Sequence, residues 1–172
     1  VVRVAVYRMA AAAGNSSEGR APPPYTLAAS ARFTALLHNP SDRAVVFYDG
    51  LFAYVTYRGE MVAPPAPLPG VAQGRGADVA LSPHFGLGGA VPVPVSADAA
   101  QALEGDCAAG RVELRLVVMG RVKYMSGPFR TGWRGLYLRC DVTVGLWVDA
   151  TAGDDGAGDV PLLEYPKCSV DA

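Results

Sequence analysis

The stretch RVELRLVV at residues 111–118 indicates the fold class of this chain. Its even positions are apolar and its odd positions are largely charged. A period of two places successive side chains on opposite faces of a β-strand. The same alternation continues over residues 136–146, where the apolar positions are Leu136, Leu138, Cys140, Val142, Val144 and Leu146. Both stretches therefore predict strands with one face in a core and the other in water.

Strand-forming runs extend over the rest of the chain. They are found at 1–9, 26–38, 44–48, 51–58, 77–82, 91–95, 121–125 and 160–171. Clusters of Gly and Pro separate these runs, for example at 63–70 and 86–90, and residues 151–159 indicate a flexible hairpin connection. Only residues 96–103 have helical character, and one or two turns beginning at Ser96 are expected there.

Together these runs predict one domain over residues 1–172, because strands separated by short turns are typical of a sandwich. We expect an all-β, antiparallel, immunoglobulin- or fibronectin-III-like β-sandwich with at most one short helix. A chain of 172 residues is long enough to bury a core of its own.

The charge balance limits the possible partners. The chain carries 15 Lys and Arg residues against 16 Asp and Glu residues, a net charge of −1, and its basic residues are scattered. The chain has no run of basic residues that could neutralise the phosphates of a nucleic acid, so nucleic-acid binding is not expected. No apolar run reaches the ~18–20 residues that a membrane-spanning helix needs, and we expect a soluble domain cut from a longer protein.

The polar segment HNPSDR, which begins at His38, interrupts two apolar runs and is the first candidate for chemistry. As an active site, His38 would act as a general base, Asp42 would orient it and Ser41 would be the nucleophile. Triad residues normally come from separate elements, and the chain has no Gly-x-Ser-x-Gly motif. Asn39 and Pro40 instead have the backbone preferences of a tight connection. We therefore predict a structural turn with the signature Asn39-Pro40.

No other group of residues predicts a catalytic, cofactor or metal site. His84 lies between a strand and a glycine-rich loop, and we expect it to be exposed or hydrogen-bonded. Asp154, Asp155 and Asp159 lack the regular spacing and the following Glu of a calcium loop. The glycines of 74–76 are not followed by the Lys-Ser/Thr pair and helix of a phosphate site. An enzyme is therefore not expected.

Two further features concern the surface. Asn15 begins the sequon Asn-Ser-Ser, a glycan acceptor if the chain enters the secretory pathway, although such triplets also arise by chance. Five aromatic residues lie in the predicted strands on either side of residue 50. We expect them to form core and sheet surface, with a carbohydrate-stacking platform as the alternative. They are Phe47, Tyr48, Phe52, Tyr54 and Tyr57.

Short segments between residues 25 and 171 stand in a characteristic order. They are FTALLHNP at 33–40, VFYD at 46–49, YVTYRG at 54–59, LSPHF at 81–85, GRVEL at 110–114, GRVKY at 120–124, FRTG at 129–132, LRC at 138–140 and CSVD at 168–171. As a set they resemble the plant family of harpin-induced-like and non-race-specific-disease-resistance-like proteins, which carry the late-embryogenesis-abundant group-2 domain. Ser41 replaces the Asn that commonly follows Asn-Pro, Cys107 is an additional cysteine and the insert at 63–70 is long, so none of these is given a family role.

The resemblance implies a short cytoplasmic tail and one membrane helix before a domain that stands outside the plasma membrane. It also implies a non-enzymatic role in plant defence or stress response, exerted by binding another membrane protein, a pathogen-derived protein or a cell-wall polymer. Two alternatives stay open: a soluble intracellular domain of the same fold that protects during drying, and a cell-wall polysaccharide-binding module. An apolar segment of ~20 residues before Val1 in the natural gene would favour the anchored form.

The three cysteines lack the CxxC or Cys/His spacing of zinc sites. Cys140 and Cys168 fall on the apolar side of their strands, so both sulfurs should point inward. We predict a Cys140–Cys168 disulfide, with Cys107 left as a thiol in a Gly-flanked turn. In the alternative, the two inward cysteines are small buried core residues without a bridge.

Overall fold

The computed structural model of the protein describes residues 25–27, 31–86, 91–145, 162–164 and 166–172. These ranges contain fourteen strands and one helix. In chain order the elements are β1 (Tyr25–Leu27), β2 (Ala31–Arg32), β3 (Ala35–His38), β4 (Val45–Tyr57), β5 (Glu60–Met61), β6 (Ala66–Pro67), β7 (Val71–Gln73), β8 (Asp78–Leu81), β9 (His84–Phe85), β10 (Val93–Val95), α1 (Ala97–Ala108), β11 (Val112–Ser126), β12 (Phe129–Arg130), β13 (Arg134–Val144) and β14 (Lys167–Asp171). The prediction of an all-β protein with antiparallel sheets and one short helix is confirmed.

The main sheet is antiparallel and has the order β14–β13–β11–β4. The short strands β5, β6 and β7 pair along the outer edge of β4, and β12 pairs with β11. Two predicted boundaries are wrong. Residues 44–48 and 51–58 belong to one strand, β4, and residues 121–125 are the end of β11.

A two-stranded ribbon forms the second layer. It consists of three antiparallel pairs, β3–β8, β2–β9 and β1–β10. Within the predicted strand 26–38 the structure has three short strands, β1, β2 and β3, rather than one. One face of the ribbon is buried in the same core cluster as the inner face of the main sheet. Its core residues are Leu27, Phe33, Ala35, Leu37, Leu81 and Phe85.

The core lies on the side of the main sheet to which the alternating apolar residues point. Val112, Leu114, Leu116 and Val118 are buried on one side of β11, whereas Glu113 and Arg115 are exposed on the other. On β13 the apolar positions from Leu136 to Val144 are buried in the same way. The inner face of the main sheet therefore packs against the ribbon, and its other face is called the outer face below.

A β-bulge interrupts the pairing of β4 with β11. Met119 pairs with Phe52 and Arg121 with Asp49, so one residue of β11, Gly120, faces two residues of β4. The first of these two is Gly50, whose φ of +57° is a conformation that glycine adopts without steric cost. The extra residue reverses the alternation along β4.

The helix α1 is longer than predicted. It runs for 12 residues, about three turns rather than one or two, and Cys107 lies in its last turn rather than in a loop. Its start agrees with the prediction, because the Ser96 hydroxyl accepts a hydrogen bond from the Ala99 amide at 3.1 Å. The Glu60 carboxylate accepts in turn from the Ser96 amide and hydroxyl, which holds this end of α1 against β5. These bonds lower the pKa of Glu60.

Some predicted elements are described only in part. The strand at 1–9 and the connection at 151–159 lie outside the described residues. Of the strand predicted at 160–171, β14 covers the C-terminal part and Leu162 forms an isolated bridge with Val144. Among the described residues, no helix has both the length and the apolar character that crossing a lipid bilayer requires.

Candidate functional site

The segment from His38 to Arg43 is a turn, and its three candidate catalytic residues do not come together. His38 Nδ1 lies 2.7 Å from Asp78 Oδ1, on the partner strand β8, rather than bonding to Asp42. The Ser41 hydroxyl accepts hydrogen bonds from the amides of Arg43 and Ala44, at 3.2 and 2.9 Å. Ser41 thus stabilises the turn as an acceptor and is not activated as a nucleophile.

Asn39, one of the two residues of the predicted turn signature, is buried and makes three hydrogen bonds. The side chain is 4% exposed, and its amide nitrogen donates to the carbonyls of Ala44 and Gly74 at 2.9 and 2.8 Å. Its carbonyl oxygen accepts from the Ser41 amide at 3.1 Å. Pro40, which follows it, is exposed. Asn39 therefore ties the turn to the loop before β8.

A second buried amide, Gln73, was not singled out from the sequence. Its side-chain nitrogen donates to the carbonyls of Leu37 and Ala77, at 2.9 and 2.8 Å, and its oxygen accepts from the Tyr48 hydroxyl at 2.7 Å. Burial, and then the nearby Tyr124, raise the pKa of Tyr48 to about 12. Gln73 thus joins β7 to the ribbon. A lone Gln in a Gly-rich stretch gives no sequence signal for such a role.

The remaining predicted positions fall into two groups. His84 is half-buried in β9, opposite Arg32. Asn15 and the acidic residues Asp154, Asp155 and Asp159 lie outside the described residues. Within the described ranges, no three His, Cys, Asp or Glu side chains come together as a metal site would require.

The structure joins the two cysteines that were predicted to pair. Cys140 on β13 lies directly opposite Cys168 on β14, and a disulfide connects them. Cys107 has a free thiol and is half-buried in α1, where burial and then the neighbouring carboxylates raise its pKa. A raised pKa keeps the thiol protonated and unreactive.

The outer face of the main sheet changes in character from one end to the other. At the end nearest the β11–β12 hairpin it carries Phe47, Asp49, Arg121, Lys123 and Trp133. In the middle it is apolar, and at the far end it is ionic. The apolar middle consists of Phe52, Tyr54, Val117, Met119 and Tyr137. Tyr48 and Tyr57, by contrast, lie on the inner side of β4, so the five aromatic residues around residue 50 divide between the two faces.

We call Phe47, Arg121, Lys123 and Trp133 the basic aromatic patch. The ammonium of Lys123 lies 4.6 Å from the ring centre of Trp133 and 5.2 Å from that of Phe47, so it stands between two rings. The guanidinium of Arg121 lies 5.3 Å from the Trp133 ring centre and also pairs with Asp49. Trp133 is 43% exposed. The patch therefore presents an aromatic ring and two cations to solvent.

This end of the sheet is positively charged although the chain is not. The segments 39–49 and 119–135, which form it, contain five basic and two acidic residues. The surplus is three positive charges in a chain whose net charge is −1. The basic residues are Arg43, Arg121, Lys123, Arg130 and Arg134. Strand pairing thus brings together at this end of the sheet basic residues that are scattered in the sequence.

The opposite end of the sheet holds an open cleft of about 870 Å³, called the charged cleft. Four basic and four acidic side chains line it. Three ion pairs use most of them: Arg58–Asp106 at 3.6 Å, and Arg111–Glu164 and Arg115–Asp141, both at 2.6 Å. The cleft thus has balanced charge and little charge left for a ligand.

Tyr57 forms the inner wall of the charged cleft. Its hydroxyl donates to Asp106 Oδ2 at 2.5 Å, which links β4 to the last turn of α1. Burial, followed by this bond, raises the pKa of Tyr57 to about 12. The bond to Asp106 is a structural contact between helix and sheet.

Comparison with known proteins found no matching family model. NDR1/HIN1-like protein 12 of Arabidopsis thaliana is 31% identical over 148 residues, which cover 86% of this chain and 69% of that protein. NDR1/HIN1-like protein 1 of the same plant is 29% identical, with the same coverage. Among solved structures, a protein from Archaeoglobus fulgidus aligns over 96% of this chain and 95% of its own, with 10% identity and a TM-score of 0.34.

The two plant relatives extend the resemblance from short segments to most of the chain. Both alignments cover 148 residues, which is 86% of this chain and 69% of each relative. The chain therefore belongs to the NDR1/HIN1-like family.

Proposed function

We propose that this domain is a non-enzymatic binding module of a plant defence or stress-response protein anchored in the plasma membrane. It stands on the extracellular side and binds another membrane protein, a pathogen-derived protein or a cell-wall polymer. Membership of the NDR1/HIN1-like family is the observation that carries the proposal.

Two features of the structure support binding rather than catalysis. Within the described ranges, neither histidine is hydrogen-bonded to a serine, threonine or cysteine side chain, as a nucleophile would need. The outer face, in contrast, exposes aromatic and charged side chains on a rigid sheet. Such surfaces suit recognition because little ordering is needed on binding.

The disulfide supports the extracellular side. Disulfides persist in oxidising compartments and are rare in the cytosol, where thiols stay reduced. The bridge between β13 and β14 joins two paired strands of the main sheet. This favours the extracellular orientation over the alternative of an intracellular protein that acts during drying.

The orientation is tested by labelling intact plant protoplasts that express the natural gene product. A membrane-impermeant amine reagent should label this domain before lysis, and a cytosolic protein should stay unlabelled in the same cells. Asn15→Gln provides a second measurement, since loss of a glycan would increase gel mobility. Labelling of the domain only after lysis would refute the proposed orientation.

The binding role is tested separately by proximity labelling from the anchored protein in intact cells. We expect cell-surface or wall components to be enriched over those found with an anchored control of unrelated fold. An enrichment profile indistinguishable from that control would count against a binding function.

A further inference from the structure

We propose that the basic aromatic patch binds a carboxylated polysaccharide, a polymer of uronic acid residues. The proposal rests on the binding function proposed above and identifies the partner by its chemistry. A chain of uronic acids offers carboxylates for Lys and Arg and apolar ring faces for aromatic side chains. The patch offers the complementary groups on one surface.

The cations of the patch are held in place but keep free donors. Lys123 is positioned between Phe47 and Trp133, so its side chain needs little further ordering before it pairs with a carboxylate. Arg121 has five N–H donors and is shown bonded to Asp49 through one nitrogen. Its side chain is 58% exposed. Both cations can therefore donate to an incoming anion.

The shape of the surface suits an extended chain. Gly135 lies directly opposite Arg121 on β13, and no heavy atom lies within 4 Å of the position that its Cβ would take. The surface beside the Arg121 guanidinium, between Trp133 and Tyr137, is therefore open at Gly135. Trp133, just before β13, and Tyr137, within it, are four residues apart, about 13 Å for an extended chain. An open surface of this length does not enclose a small molecule, but it can support a polymer along its surface.

Other anionic partners fit this surface less well. The centres of protein interfaces are depleted in Lys, whereas Lys123 lies at the centre of the patch. A neutral polysaccharide would stack on Trp133 but would not use the surplus of three positive charges.

The test compares one polymer in two charge states. The 172-residue chain is titrated with polygalacturonate and with its fully methyl-esterified form, which keeps the sugar backbone and removes the charge. We expect binding to polygalacturonate that is at least roughly tenfold tighter than to the ester, since several charge-assisted contacts are lost together. Raising the ionic strength from about 0.1 to about 1 M shortens the Debye length from about 10 to about 3 Å and should weaken binding. Equal affinity for the two polymers, or no binding to either, would overturn the proposal.

Variants locate the site. Lys123→Gln should weaken polygalacturonate binding roughly fivefold, as expected for an exposed ion pair. Trp133→Ala should weaken it roughly tenfold through lost stacking. Lys167→Gln is the matched control, because it removes the same charge from an exposed position at the other end of the sheet, and it should change affinity by less than about twofold. If Lys167→Gln weakens binding as much as Lys123→Gln, attraction is unspecific and the assignment of the patch is wrong.

Vesicles that contain an anionic phospholipid test whether the patch binds a membrane surface instead of a polysaccharide. We expect them to retain less protein than polygalacturonate does at equal charge concentration. Stronger retention by vesicles that is lost in Trp133→Ala would assign the patch to a membrane and overturn the proposal. Failure of polymer binding leaves the protoplast experiments unaffected, so this inference and the proposed function can fail separately.

Discussion

Gly120→Ala should destabilise the protein by closing the space that the β-bulge requires. A Cβ at residue 120 would lie 2.6 Å from Leu51 Cδ2 and 3.1 Å from both Leu51 Cα and the Asp49 carbonyl oxygen. The leucine methyl can rotate away, but the other two atoms belong to the backbone of β4. These backbone atoms must therefore move by a few tenths of an ångström to make room.

The structure also sets the size of the effect. Overpacking a well-filled region costs about 1–3 kcal/mol. Leu51 is 3% exposed, so its displaced methyl has only other core atoms to move against. We expect Gly120→Ala to lower the free energy of unfolding by about 2–3 kcal/mol, near the upper end of that range.

Two other glycines of the same sheet serve as controls. Gly135→Ala meets no heavy atom within 4 Å and has no positive φ, so its effect should stay below about 1 kcal/mol. Gly50→Ala is sterically free, with Arg121 Nε as its nearest neighbour at 3.9 Å, but its φ of +57° imposes about 1–2 kcal/mol of backbone strain. The predicted order of destabilisation is Gly120→Ala, then Gly50→Ala, then Gly135→Ala.

Urea unfolding of the oxidised protein, followed by tryptophan fluorescence, measures these differences. Similar m-values among the variants would show that the unfolding transition is the same. Free energies for Gly120→Ala and Gly135→Ala that agree within about 0.5 kcal/mol, the usual range for harmless surface changes, would refute the close approach at the bulge.

Three further predictions concern stability. Replacing Cys140 and Cys168 by Ser should cost about 3–4 kcal/mol for a bridge of sequence separation 28, measured by urea unfolding, and unchanged stability would mean that the bridge does not form. Asn39→Ala should cost about 2–3 kcal/mol, because a buried side chain that makes three hydrogen bonds is lost; a loss below that of an ordinary surface substitution would contradict the role of its amide. The pKa values of about 12 for Tyr48 and Tyr57 exceed the ordinary value of 10.0, so the stability they contribute is complete below pH 10 and is lost as the pH rises towards 12. Tyr48→Phe and Tyr57→Phe should each flatten this alkaline decline in thermal unfolding, and an unchanged slope would show that neither group is responsible.

The main sheet could be predicted from the sequence because one-sided burial leaves a period of two. In residues 111–118 the pattern marks both the strand and its inner face, and the structure buries the predicted positions. The helix was predicted too short for a related reason. Beyond Leu103 only the half-buried Cys107 continues its buried face, and its last turn is tied to the sheet through the bond from Tyr57 to Asp106. A contact between residues 49 positions apart leaves no local pattern.

The basic aromatic patch could not be predicted for a different reason. Arg121 and Lys123 are separated from Trp133 by the β11–β12 hairpin and from Phe47 by more than seventy residues. Their proximity depends on the registers of β4 and β13 against β11, which composition and local spacing do not reveal. Charge patterning along the chain detects basic runs, whereas a sheet gathers basic residues across its strands.

The bulge connects the fold to the candidate binding surface. Val46 is buried at an even position of β4, whereas Leu51 and the following core residues are buried at odd positions, so the alternation reverses at Gly50. In a strand without the bulge, Phe47 would share a face with Leu51. Either Phe47 would then leave the patch or Leu51 would leave the core. The extra residue allows Phe47 to lie on the outer face with Phe52, beside Lys123. A Gly120→Ala protein that stays folded should therefore also lose affinity at the patch, because the contact that strains the core is the one that sets the register of Asp49 and Phe47 against β11.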